Sequence, residues 1–200
     1  LYLTSYWKFG DKVKKRISGS DLLPVHKVLG NSSAGADLKG NGVSLKTISG
    51  YEIFHFDRLA TDFKLSFSLE MKGAGKTGLV FRSDGEANGH FISLDVIHGL
   101  AQGRVWGQRE QGGIENAFLY KTVQSNRFPA IRNSCLKVEL VIFGGYIELS
   151  INDQIILRYV ETSYMEQAGF GLYVESAEVV LNDIVCEILD GPEEEDHQLM

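Results

Sequence analysis

Apolar and polar residues alternate with a period of two along the stretch from Leu136 to Val160. The alternation breaks at Gly144-Gly145, a dipeptide that supplies the positive φ angles of a tight hairpin turn, and again at Asn152-Asp153. A period of two places one face of each strand in a core and the other face outward. The pattern therefore predicts three consecutive antiparallel strands.

The same pattern recurs over most of the chain and is clearest at residues 63–71, where large apolar side chains alternate with polar ones. Further strands are predicted at residues 25–29, 43–48, 51–56, 77–82, 90–98, 104–107, 118–123, 169–175 and 178–189. Some ten to thirteen short strands, with no long segment of helical period, predict an all-β fold. We expect an antiparallel two-sheet β-sandwich.

Length and composition fit one domain. A chain of 200 residues with 44% hydrophobic residues can bury a substantial core. We predict a single β-sandwich domain over residues 1–189, in which residues 1–42 form an irregular N-terminal part. The turn-forming Gly, Asn and Ser residues of its second half support this prediction. Its aromatic residues Tyr6, Trp7 and Phe9 are expected to cover one end of the core, and packing on a neighbouring domain is the alternative.

The charge of the chain is concentrated at its end. Residues 190–200 contain five carboxylates and are predicted to form an acidic, mobile tail. These five account for most of the formal net charge of -6, so the residues before them are nearly neutral and carry no strongly basic cluster. Nucleic acid is therefore not an expected partner.

No apolar run is long enough to span a bilayer, and the first twenty residues lack the core of a signal peptide. The chain begins at Leu1, which we interpret as the start of a mature or excised piece of a longer protein. Its two cysteines, Cys135 and Cys186, are either a disulfide pair or two separate thiols, and the sequence leaves both alternatives open.

Most catalytic and metal motifs are missing. The five histidines have no zinc-type spacing, no Gly-x-Ser-x-Gly motif occurs, and the glycines around Gly73 and Gly75 predict a hairpin turn rather than a phosphate loop. No cofactor is expected. A Ca²⁺ site formed by Asp183, Asn182 and loop carbonyls is one hypothesis, although it rests on a single acidic residue.

Two carboxylates, Glu139 and Glu148, lie on adjacent predicted strands across the Gly144-Gly145 turn. Glycosidases use such a pair, and retaining enzymes hold the two groups about 5 Å apart. Glu139 and Glu148 are therefore the candidate catalytic residues. The alternative is that both are ordinary glutamates on the solvent face of a sheet.

A binding face is predicted at residues 90–98. If Ile92, Leu94 and Val96 face the core, their neighbours face outward, where aromatic rings can stack on sugars and polar groups can bind hydroxyls. The candidate ligand-binding residues are Arg82, Phe91, Asp95, Arg104, Trp106 and Tyr173. The alternative interpretation makes Trp106 and Tyr173 partly buried packing residues.

Several segments resemble a known family. Residues 146–153, Tyr-Ile-Glu-Leu-Ser-Ile-Asn-Asp, are similar to a strand and turn in the C-terminal β-sandwich of glycoside hydrolase family 32, the invertase, levanase and inulinase group. Residues 78–82 and 169–174, Gly-Leu-Val-Phe-Arg and Gly-Phe-Gly-Leu-Tyr-Val, resemble segments of concanavalin A-like sandwiches. The resemblance covers residues 51–189 and implies a jelly roll of the concanavalin A-like type.

In that family the chemistry belongs to an N-terminal five-bladed propeller with Trp-Met-Asn-Asp-Pro-Asn, Arg-Asp-Pro and Glu-Cys motifs, none of which occurs here. The resemblance therefore implies a non-catalytic carbohydrate-binding or stabilising module of an exported glycoside hydrolase. It also implies a glycan ligand, a catalytic propeller as a partner domain, and a secreted, periplasmic or cell-surface location. A stand-alone β-sandwich glycosidase and a structural or adhesion module without sugar affinity are the alternatives.

Overall fold

The computed structural model describes residues 12–30, 35–40, 42–84, 88–111, 114–130, 135–161 and 168–189. In this part the chain forms one helical turn and fifteen strands. They are β1 (Val13–Ser18), α1 (Gly19–Leu22), β2 (Val25–Gly30), β3 (Gly35–Lys39), β4 (Gly42–Lys46), β5 (Tyr51–Leu59), β6 (Phe63–Lys72), β7 (Lys76–Ser83), β8 (Asn88–Asp95), β9 (Leu100–Gln111), β10 (Ile114–Arg127), β11 (Leu136–Phe143), β12 (Tyr146–Ile151), β13 (Gln154–Val160), β14 (Gly169–Glu175) and β15 (Glu178–Leu189).

The strands build two antiparallel sheets. The eight-stranded sheet has the order β13-β12-β11-β6-β15-β4-β3, with β1 pairing to β15, and the seven-stranded sheet has the order β10-β9-β8-β7-β14-β5-β2. Neither sheet closes into a barrel, so the predicted all-β sandwich is confirmed.

The main core lies between the two sheets and is formed by every second residue of each strand, the one whose side chain points inward. Along β6 buried and less buried side chains alternate from Phe63 to Leu69, as the sequence pattern predicts. Phe63 meets Phe170 of the opposite sheet with their ring centroids 4.6 Å apart. Each such fully buried side chain contributes about 1.5–3 kcal/mol relative to an exposed one.

The three predicted strands of the 136–160 stretch are confirmed as β11, β12 and β13. Gly144 has a φ of 54°, and Asn152 and Asp153 have φ values of 50° and 63°, so both reversals use left-handed backbone. The Asn152 side chain also accepts a hydrogen bond from the Lys137 backbone N–H at 2.9 Å, which fixes the second turn against β11.

Two parts of the sequence prediction were wrong. The segment expected to be irregular contains the strand predicted at residues 25–29, which is β2, but its described residues also form β1, α1 and β3. Pairing of β1 with β15 and of β3 with β4 imposes extended backbone on this turn-rich sequence. The strand predicted at residues 104–107 is longer than expected: β9 continues through Gln- and Gly-rich sequence to Gln111, since ladder hydrogen bonds do not require apolar side chains. Tyr6, Trp7, Phe9 and the acidic tail lie outside the described residues.

The two cysteines differ in environment. Cys186 is buried in the core, Cys135 is exposed, and both are free thiols. Burial raises the pKa of the Cys186 thiol to about 12. In the described part of the chain no helix is long and apolar enough to cross a membrane.

Candidate functional site

Strand β8 divides its side chains between two environments. Ile92 and Leu94 belong to the main core, and so does Val96 just beyond the strand. Phe91, Ser93 and Asp95 therefore lie on the opposite side, which we call the outer face of the seven-stranded sheet.

Aromatic residues from four strands meet on this outer face. Phe91 lies 5.1 Å from Tyr173 and 5.9 Å from Trp106, centroid to centroid, and Tyr51 stacks on Tyr173 at 6.4 Å. We call these four residues the aromatic cluster. Aromatic pairs of this geometry contribute about 0.5–1.5 kcal/mol beyond their buried area. The cluster is thus a second, smaller core that stiffens the outer side of the sheet.

The rings of this cluster are mostly inaccessible. Phe91 is 0% exposed, Trp106 3% and Tyr173 4%, whereas Tyr51 is half-buried. Rings this deeply buried present no face on which a sugar can stack, so the structure favours the packing interpretation of Trp106 and Tyr173.

A glycine makes room for the indole of Trp106. Gly89 is its cross-strand partner, and a Cβ atom added to Gly89 would lie 2.2 Å from the indole ring. Any larger residue at position 89 would displace Trp106. The close fit explains why β8 has a glycine opposite Trp106.

Arg104 is held beside the aromatic cluster. It is the cross-strand partner of Phe91, and its guanidinium carbon lies 5.7 Å from the centroid of the Phe91 ring. Its Nη2 atom donates a hydrogen bond of 2.6 Å to Oε1 of Gln102. Cation–π contact and hydrogen bonding together fix a guanidinium that is only 7% exposed.

Polar side chains continue this arrangement onto β10. Thr122 is the cross-strand partner of Arg104, and Ser125 is that of Gln102, so both lie on the outer face, where they are exposed. A register shift between Thr122 and Gln124 puts them on one face despite their odd spacing in the sequence. Neither residue is a candidate from the sequence, because the bulge conceals that Ser125 shares a face with Thr122.

A charged row crosses the sheet at the other end of the cluster. Glu175 of β14 is paired with Tyr51 of β5 on one side and with Lys76 of β7 on the other. The Tyr173 hydroxyl donates a hydrogen bond of 2.6 Å to Oε2 of Glu175. Tyr51, Lys76 and Glu175 are each half-buried. We call these three residues the charged row.

Asp95 lies on the outer face but serves the β8–β9 turn. It accepts a hydrogen bond from the His98 backbone N–H at 3.0 Å and contacts the His98 Nδ1 atom at 2.9 Å. Its pKa is lowered: burial alone would raise it, but the hydrogen bonds to His98 and the nearby Lys76 charge outweigh that effect. The carboxylate is thus already used to hold a tight turn.

Arg82, a candidate for the binding face, points between the sheets instead. It is 1% exposed, and its Nη2 atom lies 3.9 Å from Oδ1 of Asp62. It also donates hydrogen bonds to the backbone carbonyls of Gly144 and Glu161. The cause is a bulge, because Arg82 has a φ of 47° and the register of β7 against β14 shifts beside it. The prediction that Arg82 extends the outer face was wrong.

The candidate catalytic pair lies on the outer side of the eight-stranded sheet, and each carboxylate is paired with a cation. Glu139 lies 3.1 Å from Nζ of Lys64. Glu148 is 1% exposed, accepts a 2.8 Å hydrogen bond from Nη2 of Arg158, and accepts another from the Tyr146 hydroxyl. This arrangement leaves Glu148 closed to a substrate and favours a structural role for both residues.

The calcium site hypothesised at Asp183 and Asn182 stays a prediction. Asp183 is exposed, in a left-handed bulge of β15 with a φ of 53°. Within the described ranges no three His, Cys, Asp or Glu side chains come together in a group that could hold a metal ion. A single carboxylate is a weak ligand set for Ca²⁺, which takes six to eight oxygen ligands.

Comparison with known proteins gives structural neighbours only. No protein-family model matches the sequence, and a search of curated proteins found no match. The carbohydrate-binding module CBM66 of Bacillus subtilis superposes with a TM-score of 0.66 at 18% identity, covering 84% of this chain and 97% of that one. A Bacillus subtilis protein of unknown function with a galectin-like fold gives 0.62 at 13% identity, covering 90% and 98%. The β-fructofuranosidase of Aspergillus kawachii gives 0.50 at 16% identity, covering 80% of this chain and 28% of that one.

These neighbours define the fold. The chain has a concanavalin A-like β-sandwich fold, of the kind found in carbohydrate-binding modules and galectin-like proteins. More particularly, the fold resembles the C-terminal sandwich domain of glycoside hydrolase family 32, as the sequence resemblance predicts. At 13–18% identity these likenesses establish the fold of the chain.

Proposed function

We propose that this chain is a non-catalytic carbohydrate-binding or stabilising module of an exported glycoside hydrolase, and that a glycan binds on the outer face of the seven-stranded sheet. A binding site whose side chains are already fixed loses less conformational entropy when a ligand binds, so a rigid face favours binding. The observation that carries the proposal is the aromatic cluster with Arg104 and Gln102 fixed against it.

The buried rings have a supporting role in this proposal. The contacts to sugar come from the half-buried and exposed groups around the cluster: the Gln102 amide on β9 and the hydroxyls of Thr122 and Ser125 on β10. These groups supply both donors and acceptors, as hydroxyl-rich ligands require. The carbohydrate-binding module among the structural neighbours supports the same ligand class.

A stand-alone glycosidase receives less support. Its carboxylates, Glu139 and Glu148, are neutralised by Lys64 and Arg158, and Glu148 is buried. A general acid or nucleophile must touch the substrate. We expect no hydrolysis of aryl glycosides by the 200-residue chain. Activity that is lost in both Glu139→Gln and Glu148→Gln would reverse this assignment.

The proposal includes a parent protein with an N-terminal catalytic propeller and a secreted, periplasmic or cell-surface location. The support is that 80% of this chain aligns with only 28% of the β-fructofuranosidase chain. The full reading frame tests this part. A frame that encodes neither a propeller nor another catalytic domain would contradict it.

Calorimetry with fructans, xylans and glucans tests glycan binding. We expect one class to bind, and Gln102→Ala to weaken that binding about tenfold, the cost of one good hydrogen bond. The matched control is Ser68→Ala, a half-buried polar residue on the outer side of the eight-stranded sheet, which should bind like the wild type. If no glycan binds to a protein with normal thermal unfolding, the binding half of the proposal fails and only the stabilising half stands.

A further inference from the structure

We infer that the charged row of Tyr51, Lys76 and Glu175 is a sugar-binding subsite for neutral glycans with vicinal hydroxyls. This inference rests on the proposed function and names the ligand class of the same outer face. None of the three residues was a candidate from the sequence.

The register of three strands brings the row together. Tyr51, Glu175 and Lys76 are consecutive cross-strand partners on β5, β14 and β7. Neighbouring strands lie about 4.8 Å apart, so the three side chains leave the sheet side by side. Each lies two residues along its strand from an outer-face position, namely Ile53, Tyr173 and Gly78. The row therefore faces the same side as the aromatic cluster.

The carboxylate of this row is held in place but keeps an open acceptor. The Tyr173 hydroxyl donates a hydrogen bond to Oε2 of Glu175, while Oε1 accepts no hydrogen bond from the described residues. Tyr173 is itself fixed between Tyr51 and Phe91 in the aromatic cluster. A carboxylate oriented in this way can accept a hydrogen bond from a sugar hydroxyl without first losing rotamer freedom.

Lys76 supplies the complementary donor. Its Nζ atom makes no hydrogen bond or ion pair within the described ranges, although its charge acts on Asp95 of the next strand. Adjacent hydroxyls of one sugar ring present an acceptor and a donor together, which match an amine beside a carboxylate. The half-buried ring of Tyr51 at the end of the row adds apolar surface for the CH groups of the sugar.

The charge of the row selects among glycans. Lys76 is flanked by two carboxylates, Glu175 and Asp95, so this part of the outer face carries a net negative charge. Like charges in close juxtaposition disfavour binding, so a uronic-acid polysaccharide is repelled here. A neutral glycan pays no such penalty.

An ordinary solvated surface is the competing explanation, and the chain contains a matched control. Glu178 of β15 lies in the eight-stranded sheet, 3.6 Å from Lys46 of β4 and 3.6 Å from Lys72 of β6. Like Glu175, it is a glutamate beside lysine on an adjacent strand. Its described ion pairs are with the two lysines, and it is not part of the aromatic cluster. Glu178→Gln therefore reports the effect of removing a surface carboxylate alone.

Calorimetry of the 200-residue chain tests the subsite, with a fructan, a xylan and a glucan as neutral probes and polygalacturonate as the anionic probe. We expect Glu175→Gln and Lys76→Met to weaken binding of the neutral glycan about tenfold or more each. Glu178→Gln should leave it unchanged. Polygalacturonate should bind more weakly than the neutral glycan to the wild type, and Glu175→Gln should reduce that difference.

The outcomes separate the two proposals. Wild-type binding that persists unchanged in Glu175→Gln and Lys76→Met overturns the subsite and leaves the proposed function standing. Preferential binding of polygalacturonate overturns the assigned ligand class. A wild type that binds none of the probes overturns both the subsite and the glycan-binding function.

Discussion

Replacing Arg82 by methionine should destabilise the fold strongly, because this side chain connects the two sheets at one end of the sandwich. Arg82 leaves β7 of the seven-stranded sheet and reaches Asp62, at the start of β6, and the carbonyl of Gly144 in the β11–β12 turn. Asp62 in turn accepts a hydrogen bond of 2.8 Å from the Gly144 backbone N–H. Methionine keeps most of the volume but supplies neither the charge nor the donors.

The magnitude follows from burial. Arg82 is 1% and Asp62 5% exposed, so Arg82→Met leaves a buried carboxylate without its cation and buried carbonyls without their donor. Removing one partner of a buried pair costs about 3–5 kcal/mol. For a chain of this size that loss corresponds to a fall in Tm of roughly 6–20 °C.

Urea unfolding of the wild type and two variants measures the effect. The control is Lys137→Met, which removes the cation of an ion pair that is shorter, 2.6 Å, but exposed, with side chains 58% and 76% accessible. Exposed pairs contribute about 0–1 kcal/mol. We therefore expect the longer, buried pair to matter more than the shorter, exposed one. If Arg82→Met costs no more than Lys137→Met, the reasoning from burial is refuted.

The burial of single side chains leads to three further predictions. Gly103→Ala should lower the free energy of unfolding by about 1–3 kcal/mol, because the added Cβ would lie 2.7 Å from the hydroxyl of Tyr159. The double variant Gly103→Ala, Tyr159→Ala should remove this clash but stay destabilised by the cavity left by the tyrosine ring. Burial lowers the pKa of His90, so the neutral imidazole stabilises the fold fully above the unfolded-state pKa of about 6.5. This stabilisation is lost as the pH falls from about 6.5 toward the lower folded-state pKa. Thermal unfolding at a series of pH values should show the loss, and His90→Gln should show a smaller one. A thiol reagent should label exposed Cys135 in the native protein and buried Cys186 only on unfolding, and failure to label Cys135 would indicate a bridge.

The part of the fold that the sequence predicts is the part carried by strict alternation. The β6 pattern and the β11–β12–β13 meander follow from a period of two and from turn residues, since a half-buried strand has no other way to order its side chains. Strands that pair with segments distant in sequence cannot be predicted from the local pattern, because the partner strand imposes their extended backbone. The β1–β15 pair is an example: residues 13–18 belong to a segment predicted to be irregular, but they form a ladder with residues 185–189.

The candidate face could be predicted only up to the first irregularity of each strand. Alternation from the core residues Ile92 and Leu94 places Phe91 correctly. The same reasoning fails for Arg82, since the bulge in β7 turns it inward, and it misses Ser125, since the bulge in β10 turns it outward. One inserted residue reverses every later side chain of a strand, and alternation within the strand does not reveal it.

This geometry separates stability from the proposed binding. Arg82 lies between the sheets beside Asp62, whereas Glu175 leaves the opposite side of the seven-stranded sheet beside Tyr173. Substitutions at separated sites without common partners act additively on stability. Glu175→Gln should therefore lose affinity while its free energy of unfolding stays within about 0.5 kcal/mol of the wild-type value. Arg82→Met should lose stability while the molecules that stay folded retain wild-type affinity. A single variant that loses both properties would mean that the outer face and the inter-sheet contacts form one cooperative unit.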